Sequence, residues 1–291
     1  MSLKSKLDAG EFVVLAEMEP PKGVDVSQMI QKATKVKGAV DAFVVPEMSN
    51  AVMRMSSLGG AMILQNRGME TIMQANCRDR NRIALQADLL AAQACGIRNV
   101  MAVTGEDPSF GDHHEAKAVY DITLLEMLKV IQSLQAGKDM AGIELFGSTD
   151  FTTGSTVNAF LDGEKLDEEI EEMEKRIKAG ARFFITPPVF DMDVLAPFME
   201  KIAHLDVKII PTILLLKSVG MARYMARNVK SVKISDKLIN RIRDAGDTVR
   251  ECITIASELL HGLKKKGVSG VQIATIGWED RLPEILGGMG V

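Results

Sequence analysis

The sequence predicts an α/β fold: an eight-stranded parallel β/α barrel in one domain. Three observations lead there. Short apolar runs recur eight times, amphipathic helical stretches separate them, and nearly every run ends in a polar residue. A strand followed by a helix, eight times over, is the pattern of a closed parallel barrel, which carries its site at the carboxyl ends of the strands. The length of 291 residues accommodates one such barrel of about 250 residues with modest additions, so the expected domain is 1–291.

The first run, FVVLAE (12–17), is stopped by Pro20–Pro21, and the helix after it is capped by Asp25 or Ser27 and ends before Gly38. AFVVPE (42–47) comes next, then a helix capped by Ser49 with Ala51, Met55, Leu58 and Met62 on one face. TIMQAN (71–76) precedes a helix over 80–95 whose stripe is Ile83, Ala87, Leu90, Ala91 and Ala94, ending at Gly96. VMAVTGE (100–106) leads to a helix capped by Asp121 that ends near Gly137. IELFGS (143–148) reads as the fifth strand. Leu166, Ile170, Met173 and Ile177 then mark the clearest helix, closed by Gly180. FFIT (183–186) is the sixth strand, with a helix starting near Asp191–Asp193. VKIIPT (207–212) and VQIAT (271–275) complete the barrel, and the gap 213–270 holds extra helices at 217–228, 235–246 and 247–265 beside the mouth. The last polar residues of the runs, Glu17, Glu47, Asn76, Glu106, Ser148, Thr186, Thr212 and Thr275, would converge there.

A net charge of −4 argues against nucleic acid as the main partner. No run of about 18 apolar residues is present, so no membrane span is expected. The start MSLKSKLDAGEF lacks the apolar core of a signal peptide, and cytoplasmic residence is the expectation. Cys77, Cys95 and Cys252 lie far apart without CxxC spacing or paired histidines, which indicates neither a metal site nor a disulfide framework. Cys95 and Cys77 read as packing residues.

Alternation matters at the first strand. If Leu15 points into the barrel, so does Glu17. A shielded carboxylate there should have a raised pKa, which suits a general acid near neutral pH; the alternative is a carboxylate paired with a basic residue at the rim. Glu19 reads as solvated. In VTGEDP, Gly105 permits a sharp turn and a close backbone approach, flanked by Thr104 and Glu106. Arg78, Arg80 and Arg82 surround a helix start and suit either a phosphate or a salt-bridge network with Asp79 and nearby acids. The paired histidines of DHHEAK (112–117) read as loop residues. The acidic run DEEIEEMEK reads as a solvated face, from which Glu169 and Glu172 can still reach a ligand.

Together the segments LAEMEPP, NCRDRNRIALQADLLAAQACGIRNVMAVTGEDP, GDHHEAKAVYDIT, KAGARFFITPPVFD and IIPTILL resemble the methylenetetrahydrofolate reductase family, in its short bacterial catalytic-domain form. The resemblance implies a β/α barrel holding FAD (FMN as the alternative) at the strand ends. It also implies hydride transfer from NAD(P)H through the flavin to 5,10-methylenetetrahydrofolate by ping-pong kinetics, giving 5-methyltetrahydrofolate for methionine biosynthesis. Glu17 matches the glutamate of the family's E-x-x-P-P segment, which donates the proton that opens the imidazolidine ring. Glu106 matches a position usually Asp, beside the flavin pyrimidine and the pterin. Thr104 and Gly105 match flavin-contacting positions, Gln74 stands where many members have His, and Asn76 and Asp121 fall on flanking loop positions. Glu169, Glu172, Lys175 and Arg176 match the helix that touches the FAD ribose and phosphates, with Glu172 replacing an amide.

Two further departures concern specificity. Pro46 stands in place of a flavin-contacting Thr, and Pro187 in place of a Gln that recognises the pterin. Glu47 and Asn240 are the candidates to compensate at the substrate. The alternative function is a flavin- or pterin-binding barrel subunit of an electron-transfer or methyl-transfer complex. A homo-oligomer, or partnership with a redox subunit, is the expected assembly.

Overall fold

The computed structural model describes residues 1–287; residues 288–291 of the expected domain lie outside them. Eight parallel strands close into a barrel in sequence order. They are β1 (Val13–Glu17), β2 (Ala42–Val45), β3 (Thr71–Asn76), β4 (Asn99–Val103), β5 (Thr152–Thr156), β6 (Phe183–Pro188), β7 (Lys208–Leu214) and β8 (Gly270–Ala274). Pairing of β8 with β1, Leu15 opposite Gln272, completes the ring.

The helices are α1 (Leu3–Asp8), α2 (Ser27–Val36), α3 (Ser57–Gln65), α4 (Arg82–Ala94), α5 (Leu124–Gln135), α6 (Glu164–Lys178), α7 (Ala196–Lys201), α8 (Val219–Asn228), α9 (Asp236–Asp244), α10 (Thr248–Lys265) and α11 (Leu282–Gly287). The three helices expected in the gap before the last strand are α8, α9 and α10.

Strand alternation produces two apolar layers. Val13, Leu15, Val44, Ile72, Met101, Phe183 and Ile210 fill the barrel, and Leu3 and Leu7 of α1 join them. Val14 and Ala16 face the helices instead. The expected parity of β1 is therefore observed, and Glu17 continues the inward row. Phe183 fits inside because β5 offers Gly154 opposite it; a Cβ there would lie 2.2 Å from the ring. At the mouth end of β6 the register shifts between Ile185 and Pro188. Proline supplies no ladder donor, and the Thr212 hydroxyl, donating to the Thr186 carbonyl at 2.7 Å, spans the gap.

Several expectations are corrected. The fifth strand is Thr152–Thr156, not 143–148. Segment 138–148 forms an excursion with one antiparallel bridge, Lys138 to Glu144, and Ile143 and Phe146 are exposed. Its apolar letters imitate a strand, while the β-branched threonines of TTGST carry the ladder. Thr156, not Ser148, therefore ends the fifth strand. Ser49 does not cap a helix: Met48, Asn50 and Ala51 take positive φ values of 48°, 54° and 56°, and α3 is capped by Ser56.

Thr123 caps α5 through a capping box with Glu126, and Asp121 instead binds Arg82. Ser27 opens α2 without a side-chain cap, although Asp25 accepts from its amide. Asn81 caps α4, whose buried stripe is Leu85, Leu89 and Ala92; the expected stripe through Ile83 and Leu90 faces outward. On α6, Leu166, Ile170 and Met173 are buried as the spacing requires.

Candidate active site

Two adjoining cavities open at the carboxyl ends of the strands. One of about 370 Å³ is bordered by Glu17, Glu47, Thr104, Gly105 and Glu106. The other, about 560 Å³, reaches from Thr104 across Thr156 and Asn158 to Glu169, Glu172 and Arg176 of α6, and to Pro187 and Gln272. Gln74, Met101, Thr104 and Thr156 line both, so the two are compartments of one mouth.

Glu17 is partly buried at the floor, one step beyond the packed apolar layer. Burial pushes its pKa up to about 7, and the neighbouring carboxylates Glu19, Glu279 and Glu106 push the same way. Loss of hydration penalises the anion, and like charges add to the penalty. The Gln272 amide, from the last strand, donates to Glu17 Oε2 at 3.3 Å. Gln272 Oε1 is buried and has no partner among the described residues. Glu17 is thus no rim ion pair. Glu19 pairs with Arg54 at 2.8 Å and is shielded, contrary to its expected solvation.

Gly105 holds φ at +84°, and an added Cβ would come within 2.8 Å of Arg78 Cβ. This close approach brings the Glu106 carbonyl to Arg78 Nη1 at 3.2 Å, with the Glu106 carboxylate 3.7 Å away and half exposed to the cavity. Arg78 is 2% exposed and also binds Asp79 and the Met48 carbonyl.

The three arginines form a structural network. Arg80 reaches Glu47 and Asp88, at 2.9 and 2.8 Å, and Arg82 reaches Asp121 at 2.9 Å. The salt-bridge alternative accounts for all three.

Other expected site residues fall on both sides of this boundary. Gln74 lines both compartments and accepts from the Glu47 amide at 3.2 Å. Glu47 borders the smaller one, but its carboxylate is committed to Arg80 and to the Ser57 amide. Asn76 is fully buried and bonded to Asp79 and the Glu47 carbonyl, outside both cavities. Asp121 lines neither, because its carboxylate is turned to Arg82 at the start of α4. Asn240 is exposed on α9 and lines neither compartment.

On α6, Glu169 accepts from the Asn158 amide and from Arg176. Arg176 also donates to the Thr156 and Glu172 carbonyls and lies over the Phe184 ring. Lys175 lies at the exposed rim, 2.6 Å from Glu172. Pro46 is buried beside the smaller compartment.

Gln272, Thr156 and Asn158 were not expected at the mouth. Gln272 could have been found as the one amide in an apolar strand, on the inward parity. Thr156 and Asn158 were hidden by the misplaced fifth strand. Cys77 packs in the outer core, and burial pushes its thiol up to about 11, leaving no reactive thiolate near neutral pH. Among the described residues no group of three His, Cys, Asp or Glu side chains could hold a metal ion. No described helix is long and apolar enough to cross a membrane.

The cavity suits a planar aromatic ligand with a polar edge. Gly105 opens backbone to it, Thr104 and Gln74 offer hydrogen bonds, and Leu124 and Leu125 supply an apolar wall. At the α6 end, Arg176 donates from each of its three nitrogens to the Glu172 and Thr156 carbonyls and the Glu169 carboxylate. Lys175 can turn away from Glu172 at little cost, because a surface pair of this kind is worth only about 0–1 kcal/mol.

Comparison with known proteins agrees with this architecture. The Schizosaccharomyces pombe protein "Methylenetetrahydrofolate reductase 2" is 22% identical over 284 residues, covering 94% of this chain and 43% of that protein. The chain therefore spans less than half the length of that relative. Among solved structures, a Clostridium thermocellum protein described as binding two copies of 5-methyl-5,6,7,8-tetrahydrofolic acid superimposes with a TM-score of 0.67 at 15% identity, over 98% of this chain and 97% of that one. The EDTA monooxygenase of Chelativorans sp. BNC1 follows with a TM-score of 0.56 at 11% identity, over 96% and 94%. At such identities these two likenesses show the barrel fold alone. The family description "Methylenetetrahydrofolate reductase" matches residues 2–290, nearly the whole chain, and the chain belongs to that family.

Proposed function

We propose that this chain reduces 5,10-methylenetetrahydrofolate to 5-methyltetrahydrofolate with a flavin, FAD in preference to FMN, and NAD(P)H as the ultimate hydride source. The observation that carries the reading is Glu17: an inward carboxyl with a pKa of about 7 on the floor of a roomy cavity, in a barrel of this family. Half protonated near neutrality, it can give a proton to a ring nitrogen of the bound folate and so open the imidazolidine to an electrophilic iminium. Gln272 fixes the carboxyl's orientation through the amide contact at 3.3 Å. A reduced flavin, when bound, would supply the hydride. Thr104, Gly105 and Gln74 would hold its ring, and Lys175 and Arg176 would face its phosphates. Leu124 and Leu125 would pack against the bound ring as an apolar wall of the larger compartment.

The test is a pair of half-reactions under anaerobic conditions. Flavin-loaded protein should be reduced by NADH or NADPH, then reoxidised by methylenetetrahydrofolate. Glu17→Gln should keep the first and lose the second by about 10²-fold or more, the usual range for lost acid catalysis. Equal loss in both removes Glu17 from the acid role.

One observation favours a second reading, a barrel that binds a methylated pterin without flavin or works as a subunit of an electron- or methyl-transfer complex. The end of the cavity that would meet a diphosphate carries Glu169 and Glu172, and Arg176 there is already paired with Glu169. A colourless protein that refuses FAD and FMN but binds 5-methyltetrahydrofolate in a calorimeter would establish it.

A further inference from the structure

The outward face of α4 is unusual for a barrel helix. Such faces are normally polar. Here Ile83 is 74% exposed and Leu90 39%, and Ala87 and Ala94 continue the same exposed stripe. Between Arg82 and Arg98 the sole charged residue is Asp88, which is turned to Arg80 at 2.8 Å. The stripe therefore carries no charge that association would have to desolvate.

The excursion 138–148 extends this face. Gln86 Oε1 accepts from the Met140 amide at 2.8 Å and Gln93 Oε1 from the Asp150 amide at 2.9 Å. Those two contacts lay the segment alongside α4. Between them Ile143 is 64% exposed and Phe146 fully so. Ile83, Leu90, Ile143 and Phe146 together expose roughly 600 Å² of residue surface, at the upper end of the ~300–600 Å² of the largest patch on a typical monomer and about three quarters of the ~800 Å² that each partner gives a standard interface.

The order of side chains identifies the occupant. Reading along the stripe gives Ile83, Ala87, Leu90, Ala94: large, small, large, small. A second α4 laid antiparallel about a two-fold axis midway between residues 87 and 90 sets Ile83 opposite Ala94 and Ala87 opposite Leu90. Every large side chain then meets a small one, and each contact occurs twice. That is the self-complementarity an isologous interface requires. A partner of unrelated sequence would have no reason to match this alternation.

We propose that this face is the interface of a homodimer, α4 against α4 antiparallel, flanked by the 138–148 excursions. Each α4 runs from the mouth end of the barrel toward its base. The antiparallel arrangement therefore points the two mouths in opposite directions and leaves both open to solvent. The inference does not rest on the chemistry at the mouth.

Sedimentation velocity on the full chain, from submicromolar to high micromolar concentration, tests it. The unaltered protein should be a dimer. Leu90→Glu and Ala87→Lys, both at exposed positions, should each be monomeric with an unchanged circular dichroism spectrum, and their melting temperature should lose the concentration dependence that the parent dimer shows. Mixing the two monomeric variants should give a dimer again, because Lys at 87 meets Glu at 90 across one half of the axis and the other half keeps its Ala–Leu contact. Three results would each overturn the proposal: a monomeric parent protein at every concentration, a Leu90→Glu variant as dimeric as the parent, or variants that remain monomers when mixed.

Discussion

Gln272 donates its amide hydrogen to Glu17 Oε2 at 3.3 Å, while its own carbonyl oxygen lies buried without a partner among the described residues. The amide stabilises the anion of Glu17, and burial opposes it more strongly, so the pKa settles at about 7.

The first prediction concerns charge and stability. An acid whose pKa is raised in the folded state penalises that state wherever the unfolded chain is ionised and the folded one must follow. The penalty therefore grows as pH rises from the ordinary carboxylate range through about 7. At pH 8 it amounts to about 3 kcal/mol, and at pH 5 to about 1 kcal/mol. Glu17→Gln removes it. Urea denaturation should show the variant more stable than the parent, with a larger margin at pH 8 than at pH 5. An equal margin at both would mean that Glu17 titrates normally.

A second prediction follows from the amide. Gln272→Leu removes the donor that favours the Glu17 anion and deepens its burial, so the carboxyl should hold its proton to higher pH. Under the proposed chemistry the alkaline limb of folate turnover should then move above its parental position near pH 7. The measurement is a pH profile of the folate half-reaction. A merely structural role for Gln272 would lower the amplitude and leave the limb in place.

Backbone geometry gives the third. Gly105→Ala forces a side chain into a φ of +84° and to within 2.8 Å of Arg78 Cβ. The conformational strain alone is worth about 1–3 kcal/mol. Thermal melting should register that loss, and flavin affinity should fall with it because Arg78 and Glu106 must shift. Retention of both stability and affinity would show that this turn adapts freely.

The fourth concerns Pro187, which lines the larger compartment where the resemblance implies a glutamine. Neither expected compensator is available: Glu47 is bound to Arg80, and Asn240 is remote from both cavities. If the missing amide limits pterin recognition, Pro187→Gln should tighten folate binding by about 1–3 kcal/mol, the worth of a hydrogen bond to an otherwise unpaired group. Isothermal titration with 5-methyltetrahydrofolate measures it. An unchanged affinity would identify Pro187 as neutral to substrate choice.

Seven of eight strands were legible because buried parallel strands are short, apolar and β-branched. The fifth was not. Thr152, Thr153, Ser155 and Thr156 look like a polar loop in isolation, yet all but Thr156 are buried. Their placement depends on Gly154 making room for Phe183 of the neighbouring strand, a contact that local pattern does not encode. On α4, the sequence contained two apolar stripes, and only packing decides which one turns inward. Glu17 was legible through parity from Leu15. Gln272 was not, because its importance arises from the first strand, adjacent in the barrel but far away in sequence. The arginines around the start of α4 were ambiguous because a guanidinium serves phosphate and carboxylate equally well, and the neighbouring acids are gathered by the fold.

Glu17 and Gln272 are 255 positions apart and meet only where the barrel joins its first strand to its last. A ribosome must have released the chain through its eighth strand before that seam can zip. Until then the carboxyl sits in water without the burial that raises its pKa. Under the proposed chemistry, ring closure is therefore the event that creates a proton donor suited to neutral pH.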